Sequence, residues 1–473
     1  MNIRLICMVL LCMLGVIPSV QAQTFEQLWK QVEQAQKNGL PQSAIRITEE
    51  IFSKGEKEKK APQMLKAYVW RMQLQGELTP DSFYVDLKGL EQWALRSNDG
   101  VERAVLHSLL AEYYADFADY NHWQLSRRTN IEGEAPSDDI REWTASQFAV
   151  KVRSHVQAAL ADSLLLLTSS SRSYVPWTVS GESSEYYHHD WYHLLASRAL
   201  RSLQQMLDVE RLQRAEAVYP FGFKKEINRL YQEMIAAYQA KDRKAACLLL
   251  NLQYVEWKRS NEMYAPLNFP PKGLLGLAQD PYLADLNRLR AEFQSEDVCA
   301  EVYRAQASYA LSKRQPFAAK QIAEEAIRRY PRYERINELK NLLKDIEKPH
   351  FYVSVSEEAY PESEVSLSVN HKNVDGFTVK VLSGKKVVSQ QEYALVRPED
   401  YLTKDTVVKF RMPVCGVYKM VVSPHPRACE NAEAQLLVSR IKLLTACLPQ
   451  NQCEVLTLDR KSGLPIAGAE ITL

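Results

Sequence analysis

The sequence lacks two features that would place a protein in a broad class at once. Beyond residue 22, no stretch approaches the ~20 apolar residues that a membrane-spanning helix needs. Its 59 Lys and Arg residues balance 58 Asp and Glu residues, so the net charge is +1, and no dense basic tract is present. A surface that binds the nucleic-acid backbone needs clustered positive charge. The sequence therefore predicts neither a membrane span nor a nucleic-acid partner.

Short motifs that carry catalytic chemistry are also missing from the sequence. There is no Gly-rich phosphate loop, no G-x-S-x-G nucleophile elbow and no Cys–His nucleophile signature. We therefore predict no catalytic residue, no cofactor and no enzyme activity for this chain.

Two histidines have the spacing of metal ligands. His189 and His193 are four residues apart, a spacing that a helix would place on one face, as a zinc site needs. The sequence has no H-E-x-x-H motif and fixes no third ligand. The aromatic neighbours in Y-Y-H-H-D-W-Y-H favour a packing or binding surface, so we predict no metal site.

The N-terminus is typical of a secretory signal peptide. Arg4 supplies positive charge, and residues 5–17 form an apolar segment too short to span a bilayer. The small residues of V-Q-A predict cleavage after Ala22, which makes Gln23 the mature start. A lipoprotein would need a cysteine at the cleavage point, whereas Cys12 lies within the apolar segment. We predict an exported protein.

Removal of the signal leaves an even number of cysteines, and an exported chain can form disulfides. The six are Cys247, Cys299, Cys415, Cys429, Cys447 and Cys453. Cys447 and Cys453 flank the turn sequence L-P-Q-N-Q and could face each other across it, and Cys415 could pair with Cys429 across the loop upstream. A bond between Cys247 and Cys299 and unpaired buried thiols are open alternatives, because the sequence does not give the Cα separations.

Apolar residues recur with the period of a helix from residue 24 to about residue 347. Phe25, Leu28, Trp29, Val32 and Ala35 fall on one face, and N-G-L-P ends that helix before a second one begins. This pattern predicts an αα-hairpin. Further helices are predicted over residues 106–120, 148–167, 186–207, 227–238, 245–255 and 319–326, with loops over residues 130–139 and 168–184.

The end of this region is similar to a tetratricopeptide repeat. Ala319 and Ala326 are seven residues apart and Pro331 follows, as in the second helix of such a repeat. The whole region has no uniform period of ~34 residues. We predict a TPR-like helical array over residues 23–347, with protein partners on its surface.

The apolar period changes to that of a strand at Lys348. Alternating segments are separated by turn sequences such as D-G and S-G, which predicts an antiparallel β-sandwich over residues 348–439. The predicted strands are residues 364–369, 377–381, 406–410, 417–422 and 435–438.

Residues 440–473 predict the first strands of a second sandwich. Residues 453–458 form a strand, D-R-K-S-G a turn, and residues 469–473 the start of another strand. A two-stranded hairpin is marginal alone. We therefore expect that the chain ends inside a domain, and that this segment is either poorly ordered or held only by contacts with the preceding sandwich.

This order of domains resembles the N-terminal part of bacterial α2-macroglobulin-family proteins. In that family the second macroglobulin domain (MG2) carries the turn D-x-x-(S/T)-G-x-P-(V/I)-x-G-A. The residues that match it are Asp459, Ser462, Gly463, Pro465, Ile466, Gly468 and Ala469. The segment M-P-V-C-G-V-Y from Met412 and the segment N-V-D from Asn373 are similar to parts of the preceding macroglobulin domain.

The resemblance implies an exported inhibitor that traps endopeptidases. In the family, a protease cuts a bait region and is then enclosed, and some members capture it through a C-G-E-Q thioester. The chain has no C-G-E-Q, and the resemblance places bait and thioester domains beyond residue 473. It therefore implies the scaffold part of such an inhibitor, with proteases as partners of the whole, in the periplasm or on the outer side of a Gram-negative cell envelope.

Two other functions are open. The chain could be an exported protein-binding scaffold, because helical arrays present concave surfaces to partners. It could also be a nutrient-uptake or carbohydrate-binding component, because a G-x-P-x-x-G-A hairpin also opens the sandwiches of outer-membrane receptors. The fold class predicted in all three cases is α+β multidomain.

Overall fold

A computed structural model describes residues 23–128, 137–175, 177–181, 183–213, 222–263, 280–396, 399–412, 414–425, 429–449 and 452–471. The predicted signal peptide lies outside these residues, as does most of the predicted loop at 130–139. The chain divides into two compact units, Met1–Tyr254 and Val255–Leu473. Within the described ranges, no helix has the length and apolar character needed to cross a membrane.

The regular secondary structure of the first unit is helical over its described residues, apart from one isolated bridge between Ser170 and Asp190. Its helices are α1 Phe25–Lys37, α2 Pro41–Glu58, α3 Ala61–Leu78, α4 Ser82–Arg96, α5 Gly100–Tyr120, α6 His122–Leu125, α7 Ala145–Ala159, α8 Ser163–Thr168, α9 Trp191–Leu212, α10 Phe223–Gln239 and α11 Lys244–Ser260, the last of which crosses into the second unit.

The predicted αα-hairpin is confirmed in α1 and α2. Thr24 and Gln27 form a capping box at the start of α1, and Gly39 follows its end with a φ of 68°, in the left-handed region. The buried residues of the two helices form one apolar cluster: Leu28, Trp29, Val32, Ala35, Ala44 and Ile51.

Two predicted helices have different bounds in the structure. The helix predicted over residues 148–167 is divided into α7 and α8, because Asp162 accepts a hydrogen bond from Leu165 N and starts a new helix. The helix predicted from residue 186 begins at Trp191, because Asp190 caps it and residues 183–189 form turns. In both places the aspartate cap, and not the apolar period, determines where the helix begins.

The second unit begins with helices α12 Pro281–Glu292, α13 Ala300–Ser312, α14 Pro316–Arg329 and α15 Ile336–Glu347. Ala319, Ala323 and Ala326 of α14 are fully buried. Small side chains allow neighbouring helices to approach closely, which is the packing that the alanine spacing predicted.

A β-sandwich follows. Its strands are β1 His350–Val355, β2 Glu358–Ala359, β3 Glu364–Lys372, β4 Gly376–Ser383, β5 Lys386–Ala394, β6 Lys404–Arg411, β7 Gly416–His425 and β8 Ala432–Val438. One sheet has the order β1-β3-β6 and the other β2-β8-β7-β4-β5. The pairs are antiparallel except for the short parallel pair β2–β8. The fold class is therefore α+β, as predicted.

Alternating residues of both sheets form the core of the sandwich, including Leu367 of β3, Phe377 of β4 and Met420 of β7. The predicted strands do not include β1, β2 or β5. Strand β1 has no fully buried residue, and β2 has only two residues. Strand β5 lies at the edge of its sheet, and nearly all its residues are exposed, Val387 and Val388 among them. A strand without a buried face has no alternation to detect.

A two-stranded sheet of β9 Ile441–Leu448 and β10 Gln452–Asp459 follows the sandwich. Arg460 Nη1 donates a 2.6 Å hydrogen bond to Glu358 Oε2 of the sandwich, a contact of the expected kind. The strand predicted from residue 469 is absent over residues 469–471. Gly468 has a φ of 73° and a turn there directs the backbone out of the extended conformation.

The end of α15 is attached to the sandwich by polar contacts. Asn373, which follows β3, donates from its side-chain amide to the carbonyl oxygens of Ile346 (3.1 Å) and Glu347 (2.9 Å). Lys372 Nζ donates to Asp345 O at 3.0 Å. Asn373 is 6% exposed and has a φ of 57°, a conformation that asparagine tolerates better than most residues. Carbonyl groups that α15 cannot satisfy are thus satisfied by the sandwich.

A second contact supports the same junction. Lys320 Nζ of α14 donates to Tyr401 Oη at 2.8 Å, and the Tyr401 ring packs on the cluster of Ala307, Ala310, Ala319 and Ile346. The helices and the sandwich of this unit therefore share both polar and apolar contacts.

Replacement of Asn373 tests the junction. Asn373→Ala removes two hydrogen bonds and places alanine in the left-handed region, so we expect α15 to lose roughly 2–4 kcal/mol of local stability. Hydrogen exchange of residues 336–347 in the full chain measures this loss. Asn370→Ala removes exposed contacts with His350 and Asp405 on the two neighbouring strands and should leave exchange in α15 unchanged. Equal effects of the two variants would show that Asn373 has no special role.

Candidate functional site

The predicted histidine pair does not share a helix face. His189 lies in the turn before α9 and is 6% exposed, whereas His193 lies in the first turn of α9. The His193 ring stacks on Tyr187 with ring centroids 3.3 Å apart, and burial lowers the pKa of His193 to about 4. Over the described ranges, no three His, Cys, Asp or Glu side chains are grouped so that they could hold a metal ion.

Asp190, between the two histidines, organises this region. Its carboxylate accepts from Tyr238 Oη (2.8 and 2.9 Å), Arg243 Nη1 (2.7 Å) and His193 N (2.8 Å). Burial raises the pKa of Asp190, against the opposing effect of these hydrogen bonds. Asp190 connects the start of α9 to α10 and to the residue before α11, which is a structural role.

A cavity of about 330 Å³ lies beside this turn. Arg172, Val175, Val179 and Leu194 contribute to its wall together with several serine hydroxyls. His188 and His189, next to the cavity, have φ values of 54° and 51°. Consecutive left-handed residues other than glycine are strained, and such strain is found at ligand-binding sites. The cavity is therefore a candidate binding site.

A larger cavity of about 460 Å³ lies among α4, α5 and α7. Its wall includes Lys88, Glu91, Tyr114, Trp143 and Lys151. Glu91 Oε1 accepts from Lys151 Nζ (2.5 Å) and Tyr114 Oη (2.9 Å). Burial alone would raise the pKa of Glu91, but the nearby His155 and the hydrogen bonds from Lys151 and Tyr114 lower it to about 2. The cavity thus has a fixed carboxylate, lysines and aromatic rings, a combination that suits a polar ligand.

Two histidines extend this site inward. His107 Nδ1 and His155 Nδ1 are 2.9 Å apart, and His155 Nε2 is 3.7 Å from Glu91 Oε1. Burial, and then the charges of His155, Arg103 and Lys151, lower the pKa of His107 to about 4. Sequence analysis missed this group because its members come from three helices and form no motif.

Within the described residues, no disulfide bond joins any of the six cysteines of the predicted mature chain. Cys247 and Cys299 are buried, Cys415 is exposed and Cys429 is partly exposed. Cys447 and Cys453, both exposed, lie directly opposite each other in β9 and β10. The structure therefore brings one predicted pair into register, and the pairing of Cys415 with Cys429 stays a prediction.

The family-motif residues form a compact turn after β10. Asp459 Oδ1 accepts from Lys461 N (3.2 Å), Ser462 N (2.8 Å) and Ser462 Oγ (2.8 Å), and these bonds lower the pKa of Asp459. Gly463 follows with a φ of 71°. Leu458 and Pro465 form an isolated bridge across the turn. The residue types at Asp459, Ser462 and Gly463 thus have a local structural reason.

Comparisons with protein-family models and with curated proteins found no match to this chain.

The lowered pKa of His107 predicts that the stability of the first unit depends on pH. A folded pKa of about 4 for His107 lies below its unfolded value of about 6.5, so the unfolded chain binds a proton that the folded chain does not. The contribution of His107 to stability should be constant above that window and fall as the pH drops through it, by at most about 1.4 kcal/mol per pH unit. His193, whose pKa is also lowered to about 4, should add a slope of the same size in the same window. Urea unfolding followed by tryptophan fluorescence measures this. His107→Gln should lower the slope of unfolding free energy against pH by the equivalent of one proton. An unchanged slope would show that the pKa of His107 is not lowered in the folded chain.

Proposed function

We propose that this chain is the N-terminal scaffold of an exported α2-macroglobulin-like endopeptidase inhibitor, a protease trap. The observation that carries the proposal is the turn D-R-K-S-G-L-P-I-A-G-A after β10, which has the residue types of the family turn in the family order. Its geometry supports this, because Asp459, Ser462 and Gly463 adopt an Asx-type turn with a left-handed glycine.

The order of elements gives independent support. Helices are the main secondary structure of the described chain up to Glu347, a two-sheet sandwich follows from His350, and the β9–β10 hairpin comes after it. The proposal assigns the sandwich to the first macroglobulin domain and the hairpin to the start of MG2. The contacts of Asn373 and Lys320 suit a scaffold, because they fix the last helices to the sandwich.

A second candidate function is an exported binding scaffold or a nutrient-uptake component. The specific observation that favours it is the cavity at Glu91, which has the size and lining of a ligand site. In this alternative the helical unit would bind a small polar molecule and the sandwich would act as a spacer.

A protease challenge of the natural secreted product tests the trap. We expect limited cleavage by an endopeptidase, followed by a decrease in hydrodynamic radius. The captured protease should keep its activity toward a small peptide substrate and lose it toward a large protein substrate. A catalytically inactivated protease is the control, because it cannot cut and should cause no compaction.

Absence of both cleavage and compaction across a panel of endopeptidases would contradict the trap. Saturable binding of a sugar or peptide that is lost in Glu91→Gln would then favour the second candidate. The control variant is Glu26→Gln, which changes an exposed carboxylate on α1.

A further inference from the structure

Cys447 and Cys453 occupy facing positions on a strand pair whose register is continuous. The pairs run without a shift from Gln452 opposite Leu448 to Asp459 opposite Ile441. Both cysteines are exposed. Residues that face each other across antiparallel strands project their side chains to the same side of the sheet, so the two thiols lie on one face of the hairpin.

The backbone hydrogen bonds show which kind of pair the cysteines form. Arg460 N donates to Arg440 O at 2.8 Å, so this pair is hydrogen-bonded. Asp459 N donates away from β9, to Leu464 O, and Thr457 O accepts from Ile466 N, also away from β9. The two kinds of pair alternate along an antiparallel ladder. Odd-numbered positions of β10 are therefore non-hydrogen-bonded, and Cys453 is one of them.

This placement suits a disulfide. In non-hydrogen-bonded pairs the Cα atoms are about 4.5 Å apart, which lies within the range of about 4.4–6.8 Å found for disulfides. In the structure no backbone shift is required to bring the two residues together. Exposed disulfides are more easily reduced than buried structural ones, so the bond should be reversible.

We propose that Cys447 and Cys453 form a reversible thiol–disulfide pair that controls the order of the β9–β10 hairpin. The oxidant is a small disulfide such as oxidised glutathione. One cysteine thiolate attacks it, forming a mixed disulfide and releasing one glutathione thiolate. The second cysteine thiolate then attacks the protein sulfur of that bond and releases the second glutathione. The protein loses two protons and two electrons, which the glutathione disulfide gains.

The hairpin has reason to depend on such a bond. Leu443 on the cysteine face is 54% exposed, and Leu444 and Leu456 on the other face are 44% and 46% exposed. A two-stranded sheet that buries little apolar surface is marginal. Closing the loop between the strands restricts the disordered state and therefore favours the paired one.

Redox titration of the full chain tests the proposal. The chain is equilibrated in glutathione buffers, free thiols are alkylated, and the masses of the tryptic peptides are measured by mass spectrometry. Both cysteines fall in one tryptic peptide, residues 443–460, so the internal disulfide appears as a peptide lighter by two hydrogen atoms. We expect this peptide to appear in one two-electron step. Exchange of hairpin amides should then slow at least about fivefold.

A shift of one position provides the matched control. Cys453→Ser combined with Glu454→Cys moves the thiol to the opposite face, because side chains alternate along a strand. At the ratio of oxidised to reduced glutathione that half-oxidises the natural pair, this variant should give no peptide that is lighter by two hydrogen atoms. Equal oxidation of the variant, two separate glutathione adducts in the natural chain, or unchanged amide exchange on oxidation would each overturn the proposal. The readouts do not depend on protease inhibition, so the two proposals can fail separately.

Discussion

The unsatisfied carbonyl groups at the end of α15 are the constraint on which the second unit depends. A helix leaves its last carbonyls without internal partners, and burial makes them costly. Asn373 satisfies two of them from the sandwich, and its left-handed backbone turns the chain there from β3 toward β4. Asn373 thus satisfies the end of α15 and also sets the turn between two strands of the sandwich. The change from helical to extended chain at residue 348 becomes a fixed junction rather than a linker.

Buried polar groups organise the first unit in a comparable way. Asp190 starts α9 and contacts residues that belong to or precede two later helices. Glu91, His155 and His107 connect α4, α5 and α7. Both networks adjoin cavities, so the side chains that hold the helices together also define the polarity of the candidate ligand sites. In the proposed trap these sites would be accessory features, and in the alternative function they would bind the ligand.

Periodicity and turn chemistry predicted most of the elements. The α1–α2 hairpin, the strands β3, β4, β6, β7 and β8, and the α+β class followed from local patterns. Helix starts set by Asp162 and Asp190 were missed, because a cap is recognisable only when its partner N–H is known. Strands β1, β2, β5 and β9 were missed. No residue of β1 is fully buried, β2 has only two residues, and β5 and residues 441–447 of β9 bury no face. The group of Glu91, His107 and His155 could not be predicted, since only packing of three helices brings it together.

A distance measurement tests directly whether the junction between the helices and the sandwich of the second unit is rigid. Spin labels at exposed Gln321 of α14 and exposed Lys380 of β4 report on the two layers. They can be attached through non-natural amino acids, so that the cysteines stay unchanged. Pulsed electron double resonance should give a single narrow distance distribution in the natural chain and a broader one in Asn373→Ala. A broad distribution in the natural chain would show that the junction is not rigid.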